Sequence, residues 1–406
     1  MRNTVIAAMI VLAAAVGGLC QSWPTASAPA GDWPQWRGPQ RNGISAQKDW
    51  NSQFGQELKP LWSVNVGAGF SSVAVVGGRA YTMGYKDAQE RIVCLQVDNK
   101  GQQVWQYPYK CGKVQYDGPR ATPTVEGNRV YALGAMGDIT CLDLEGKKIW
   151  AKNLKTDLGL TLPNWGFAGS PVVHGKNLIL NAGKAGLALD KATGNVAWQT
   201  GKDAAGYASP VLFKQGGKDA LAVFGAKALY VVDPANGQVL HSTPWATDYD
   251  VNAPDPLPVG AGGLFITSGY GRGCALVDPS GKIAWENKNM SAHFSSPVLV
   301  GDYIYGVDGN AGSKNSVVCL EAKTGQKTWS YPAGNMAGLI VDDNRLLVNT
   351  DGGLLLAGPL SPQEFKPTGS AKVGTGNIWS PPALAEGKAF LRGQNGDLVC
   401  VDLKAK

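Results

Sequence analysis

The chain has few of the groups with which proteins do redox and metal chemistry. Its 406 residues hold three histidines, His174, His241 and His293, each alone in its stretch. There is no CxxC, CxxCH or His-rich segment, which excludes the spacing-defined zinc and c-type haem sites. None of the seven cysteines adjoins another. Charged residues make up 17% of the chain, with a formal net charge of +6 and no run of Lys or Arg. A nucleic-acid partner needs a clustered basic face, so no nucleic acid is expected. One long uncharged apolar run exists, Val5 to Leu19. It falls short of the ~20 residues that a spanning helix needs, so the mature chain should carry no transmembrane segment.

That run follows Arg2 and precedes the small residues Ala28-Pro29-Ala30, the order of a secretory signal peptide with a cleavage site. Residues 1–30 are therefore read as a leader, and the protein as exported to the periplasm or cell envelope. Cys20 raises the question of a lipid anchor. The residue before it is the bulky Leu19, where lipidation requires a small one, and the reading disfavours an anchor at Cys20. Losing Arg2 takes the net charge from +6 to +5.

What the chain has is glycine, 54 residues of it, set between short apolar runs. The stretch Gly169 to Trp198 shows the pattern: apolar runs of strand length broken by Gly175-Lys176-Asn177, by a Gly-rich loop at Ala182–Gly186, and by Asp190-Lys191-Ala192-Thr193-Gly194. These are hairpin signals. The Asp190 carboxylate can bond backbone N–H groups of its own turn, and Gly194 can take the positive φ there. One such unit cannot bury both its faces and must stack on copies of itself. The copies begin at Ser72-Val73, Thr122-Pro123, Ser170-Pro171, Ser209-Pro210, Asp255-Pro256, Ser296-Pro297, Ala337-Gly338 and Ser380-Pro381, at steps of 39 to 50 residues. That is the period of a four-stranded propeller blade. The expected fold is all-β, an eight-bladed β-propeller over residues 59–406. Closing strands carry Trp105, Trp150, Trp198, His241, Trp285 and Trp329, and the degenerate seventh unit offers Phe365.

The eighth unit stops after its third strand, at Leu398 to Asp402, while Lys59 to Val64 reads as a fourth strand with no blade before it. The two should pair and close the ring, which removes an exposed edge. Residues 31–58, which include Asp32-Trp33-Pro34-Gln35-Trp36-Arg37-Gly38-Pro39, are read as an ordered N-terminal arm. Cys94, Cys141, Cys274, Cys319 and Cys400 fall in third strands of five different blades, on one face by period two. They read as buried thiols rather than disulfide partners. Cys111 lies off the repeat, and the sequence assigns it no role.

The pattern Ala188, Asp190, Thr193, Gly194, Trp198, repeated around Cys319 to Trp329 with Glu321 for Asp, resembles the tryptophan-docking repeat of pyrroloquinoline-quinone (quinoprotein-like) propellers. Gly118 to Pro123, Trp165 to Pro171, Ser268 to Cys274 and His293 to Pro297 resemble an exported bacterial group within that family, the one that includes the outer-membrane assembly propeller lipoprotein. The resemblance implies that Trp62, Trp105, Trp150, Trp198, Trp285 and Trp329 pack between blades as structural residues. It also implies that any ligand meets loops at one mouth of the central channel. Loops leading into first strands bring Phe70, Arg120, Trp165, Tyr207, Asp255, His293, Asn335 and Trp379. Loops between second and third strands bring Lys184, Lys227, Arg272, Asp308, Lys314, Asp351 and Arg392.

From these, the candidate ligand-binding residues are Arg120, Trp165, Tyr207, Asp255, Arg272, His293, Trp379 and Arg392. Aromatics beside cations suit a flat anion, through ring contacts and charge-assisted hydrogen bonds. No catalytic residue and no metal site is assigned. The expected function is a ligand- or protein-binding scaffold of the bacterial cell envelope, with an envelope protein or a small anionic ligand as partner. The alternative is a pyrroloquinoline-quinone-dependent alcohol or sugar dehydrogenase, in which Ca²⁺ would accompany the quinone and Asp255, Asp308 or Asp351 would serve as base or ligand. A carbohydrate-binding module, resting on Trp165, Tyr207 and Trp379, is a further alternative.

Overall fold

The computed structural model describes residues 31–404 apart from 113, 114, 117, 343 and 375. The leader and Cys20 lie outside the described residues. Strands form eight separate four-stranded antiparallel sheets arranged as the blades of a propeller. Blades one to seven span 74–110, 124–153, 172–199, 211–244, 257–287, 298–334 and 337–372. Blade eight takes three strands from 383–402 and its fourth from Pro60–Asn65, with Trp62 opposite Cys400 and Val64 opposite Leu398. The expected closure is present. No helix among the described residues is long and apolar enough to cross a membrane.

The docking tryptophans explain the repeat's consensus. Each indole reaches the turn of the following blade and donates to a backbone carbonyl: Trp62 to Val97, Trp105 to Leu144, Trp150 to Lys191, Trp198 to Pro234, Trp285 to Ala322 and Trp329 to Ser361, at 2.8 to 3.2 Å. The turn is held by its acid, as Asp190 accepts from the N–H groups of Ala192 and Thr193. Gly194 has φ +74°, and a Cβ there would stand 2.8 Å from Trp150 Cε3. The glycine thus serves both the left-handed turn and the approach of the preceding blade's ring. Beneath four of these rings the third strand places Cys94, Cys141, Cys319 or Cys400 directly opposite the Trp. All five repeat cysteines are buried and none is in a disulfide.

Two blades depart from the pattern. In blade four the indole is replaced by a pair: Gln215 bonds His241 at 3.3 Å and donates to the Pro279 carbonyl, the acceptor that a docking Trp would have used. In blade seven Phe365 does not lie on the closing strand, Gly369–Lys372. It stacks back on Trp329 of blade six, so it does not clamp blade eight, contrary to the sequence reading. The N-terminal arm fills that gap. Trp50 Nε1 donates to Asp342, Asn51 N–H to Leu403 O, and Phe54 O accepts from Ser370.

A second device joins the blades at the axis. In blades two to six the first residue of the opening dipeptide accepts the N–H of its counterpart in the preceding blade. Ser72 donates to Thr122, Thr122 to Ser170, Ser170 to Ser209, Ser209 to Asp255 and Asp255 to Ser296, at 2.8 to 3.0 Å. The hydroxyl satisfies an inner-strand N–H that its own blade cannot reach, and the proline that follows adds no further donor. Asp255 takes the place of Ser or Thr because it has a second oxygen, which the arm uses.

Candidate ligand cavity

The arm runs across the end of the channel opposite the first-strand loops, where Asp32 accepts from Gly77 and Gly31 from Glu386. From there it bonds inner strands of seven blades. Trp33 pairs with Val75, and Pro34 accepts from Val125. Arg41 donates to Ser170 and Pro171, and Arg37 to Pro297. Ser45 pairs with Val341, and Gln47 donates to Leu384. Trp36 Nε1 donates to Asp255 Oδ2 at 2.7 Å, and Arg37 Nη1 lies 3.6 Å from the same oxygen. Burial lowers the pKa of Arg37, against the pull of Asp255, and holds Arg41 down at about 10.

Above this plug lies a cavity of about 720 Å³, with Trp36 among the residues that line it. Phe70, Arg120, Trp165, Tyr207, Asp255, His293 and Trp379 line it too, so seven of the eight predicted first-strand loops contribute as expected. The second set does not converge there. Arg272 packs over the Trp245 ring at 3.5 Å and pairs with Glu286. Arg392 is buried between blades eight and one, donating to the carbonyls of Gly393, Gly67 and Met83. It is an inter-blade peg, and its pKa is lowered to about 10 by burial. Asp308 accepts from Ser291 and pairs with Lys327, and Asp351 accepts from Ile378. Asp255 is at the cavity but not available as a base or ligand, because Ser209, Trp36 and Arg37 use both its oxygens.

The sequence reading missed Trp36, Tyr116, Tyr270, Phe294, Asn310 and Ser313, all of which line the cavity. With the predicted aromatics these make a nearly continuous tier of rings. Phe70 stacks on Trp379 at 5.1 Å, Trp379 on Phe294 at 5.3 Å, and Phe294 on His293 at 3.7 Å. Tyr270 meets His293 edge-on at 4.9 Å, Tyr249 meets Tyr270 at 5.5 Å, Trp165 meets Tyr249 at 6.2 Å, and Tyr207 meets Trp165 at 5.9 Å. Arg120 sits over Phe70 at 5.3 Å, but its guanidinium also donates to the carbonyls of Gln115, Tyr116 and Gly118 and so holds the loop. Burial pushes Tyr207 up to about 12 and His293 down to about 4, so both rings are uncharged at neutral pH.

Three of these tyrosines have left-handed backbone: Tyr116 at φ +63°, Tyr249 at +63° and Tyr270 at +57°. A bulky residue there costs of order 1–3 kcal/mol, and such strain concentrates at functional sites. One signal was available in the sequence. Tyr270 stands between Gly269 and Gly271, where a turn residue would ordinarily be.

A quinone with Ca²⁺ does not fit this set. No three His, Cys, Asp or Glu side chains converge among the described residues. Among the described residues Asp255 is the only carboxylate lining the cavity, and it is already committed. Of the three arginines proposed for a flat anion, only Arg120 is present there.

Sequence comparison matches residues 59–331 and 245–406 to the family described as outer membrane protein assembly factor BamB. Curated relatives carry the same description. The Yersinia pestis protein is 22% identical over 306 residues, 68% of this chain and 73% of that one. The Burkholderia pseudomallei protein is 36% identical, but the match spans 26% of each chain. Among solved structures, BamB from Moraxella catarrhalis superposes with a TM-score of 0.60 at 15% identity, over 85% of this chain and 99% of that one. Quinohemoprotein alcohol dehydrogenase from Comamonas testosteroni superposes at 0.66 and 13%, over 93% and 81%. At these identities the structural matches speak for the fold alone.

Proposed function

The chain belongs to the BamB family of propellers, and from that premise we propose that it is a non-catalytic binding scaffold of the bacterial cell envelope that engages its partner at the channel mouth. The relatives' description as outer membrane protein assembly factors supports a protein-binding role in the envelope. The observation that carries the choice of surface is the ring-lined cavity with three strained tyrosines at its rim. Strain is kept where a rigid, prearranged surface is useful, and buried aromatic pockets are where binding energy concentrates. Among the described residues the dehydrogenase reading finds no carboxylate at the cavity that is free to hold a metal or take a proton.

The test is site-specific photocrosslinking in envelope preparations. A photoreactive residue at Tyr116 or Tyr249, which are 51% and 65% exposed, should capture one defined partner. The same residue at Ile149 or Leu240, on outer strands of blades two and four, should not. Equal capture at outer and rim positions, or none at the rim, would overturn the proposal.

A further inference from the structure

We infer that the cavity beneath the rim binds a short, neutral oligosaccharide. The inference goes beyond the protein-binding reading, since the rim can hold a protein while the cavity below it holds a sugar. Among the described residues six with hydroxyls line the cavity beside its rings: Ser170, Ser209, Tyr207, Tyr116, Tyr270 and Ser313. A hydroxyl has one hydrogen to donate and two lone pairs that accept. Ser170 and Ser209 each accept one backbone N–H, as Tyr207 does from Trp165, so each keeps a lone pair as well as its hydrogen. Ser313 accepts from Asn310 N–H and donates to Asn310 O, which leaves it one lone pair. His293 Nδ1 accepts from Ala311 N–H, so the neutral ring carries its proton on Nε2 as a donor.

Rings interleaved with groups that both donate and accept complement a pyranose, whose C–H face is apolar and whose every hydroxyl bonds both ways. Trp379 is stacked on Phe70 and on Phe294. No ring among the described residues stacks flat on Trp165, which Tyr249 meets edge-on and Tyr207 at a tilt. Trp165 is therefore the ring with a face to offer. Other ligand classes leave part of this set unused. An acyl chain would cover the hydroxyls of Ser170, Ser209 and Tyr207 without giving them partners, a cost for each. A flat polyanion finds one cation, Arg120, whose guanidinium already donates to three carbonyls of its own loop. An extended peptide binds along an open strand edge. Here the inner-strand N–H groups of Ser72, Thr122, Ser170, Ser209 and Asp255 are spent on the neighbouring blade's side chain. The arm closes the channel below, so a ligand enters from the mouth and does not thread through. At about 720 Å³ the cavity falls within the range of small-molecule sites, roughly 300–1,000 Å³.

The test titrates cellotetraose, maltotetraose and tetra-N-acetylchitotetraose into the purified protein, followed by isothermal calorimetry and by intrinsic tryptophan fluorescence. Saturable binding of at least one of these sugars is expected. Trp165→Ala should weaken it roughly ten-fold, the loss of one ring contact. Tyr270→Phe, which removes a hydroxyl and keeps the ring, should weaken it roughly three-fold. Ala168→Leu adds bulk to the cavity while removing no ring and no hydroxyl, and should weaken it as well, with melting temperature unchanged. Failure of every sugar to bind would overturn the inference, and rim crosslinks that persist would leave the protein-binding reading standing. Tighter binding of a planar aromatic tricarboxylate or a neutral decapeptide than of any sugar would also overturn it, as would sugar binding that all three variants leave intact.

Discussion

Replacing Asp255 should separate the two jobs that one side chain does. Its carboxylate accepts the Ser209 N–H at 2.8 Å as the blade-to-blade link, and it anchors the arm through Trp36 and Arg37. Arg37 and Asp255 side chains are each 3% exposed, so removing the acid leaves a buried cation without its partner. Breaking a buried pair costs about 3–5 kcal/mol. An orphaned inner-strand N–H adds about 1–3 kcal/mol. Asp255→Ala should incur both losses. Asp255→Ser restores the hydroxyl found in the neighbouring blades and should recover the second, so the two variants should differ by about 1–3 kcal/mol. In each, the arm should swing out to hydrate Arg37, opening Arg37-Gly38 and Arg41-Asn42 to trypsin. Urea denaturation followed by tryptophan fluorescence reads the stabilities, and limited proteolysis with N-terminal sequencing reads the arm. Equal stability of the two variants, with an arm no more cleavable than in the parent protein, would refute the assignment.

Gly194→Ala should destabilise by about 1–2 kcal/mol from its left-handed backbone alone, with displacement of the Trp150 ring on top; a melting curve superimposable on the parent's would contradict the docking account. His293 is held neutral by burial, with a pKa of about 4 against an ordinary value near 6.5. The unfolded chain therefore binds the extra proton between those values, and the contribution is whole above pH 6.5 and lost as the pH falls toward 4. It amounts to roughly 3 kcal/mol. His293→Gln should show a correspondingly shallower acid decline than the parent, and parallel curves would count against it. Burial pushes the thiols of Cys94 and Cys141 up to about 11 and those of Cys274 and Cys400 to about 12. Maleimide should reach these four, and buried Cys319, only after denaturation; a disulfide between any two of the five would overturn this.

The architecture was legible because each blade repeats its own solution. Asp190, Thr193, Gly194 and Trp198 recur for reasons local to one turn and one inter-blade contact, so spacing alone exposes them. The ring closure was legible from two matching deficits, a blade lacking a strand and a strand lacking a blade. What could not be read was any feature that joins residues with no common place in the repeat. His241 looked like a weak docking residue, and only the fold shows Gln215 completing it across the sheet. Phe365 looked like a closing aromatic because it followed the right number of residues. The chain instead enters the closing strand later, at Gly369, and the clamp comes from Trp50 at the far end of the sequence.

The cavity suffered the same limit for a further reason. Loops leading into first strands converge on the cavity in seven of the eight blades, so their residues were found. Loops between second and third strands do not share one direction: Arg392 turns inward to backbone carbonyls, the loop of blade five turns Arg272 onto Trp245 but brings Tyr270 to the cavity, and that of blade six brings Asn310 and Ser313. Charge counted from the sequence therefore overstated the cavity's positive character. Arg272 is paired with Glu286 and Arg392 is buried away from the cavity, so of the three only Arg120 brings its charge there. The arm matters most here, since it supplies Trp36 to the cavity and engages the lining carboxylate of Asp255. Clamping blades seven and eight, plugging the channel and setting the cavity's hydrogen-bonding character are thus consequences of one segment, residues 31–58, which belongs to no blade. Loosening that segment should alter what the mouth binds before it alters whether the propeller folds.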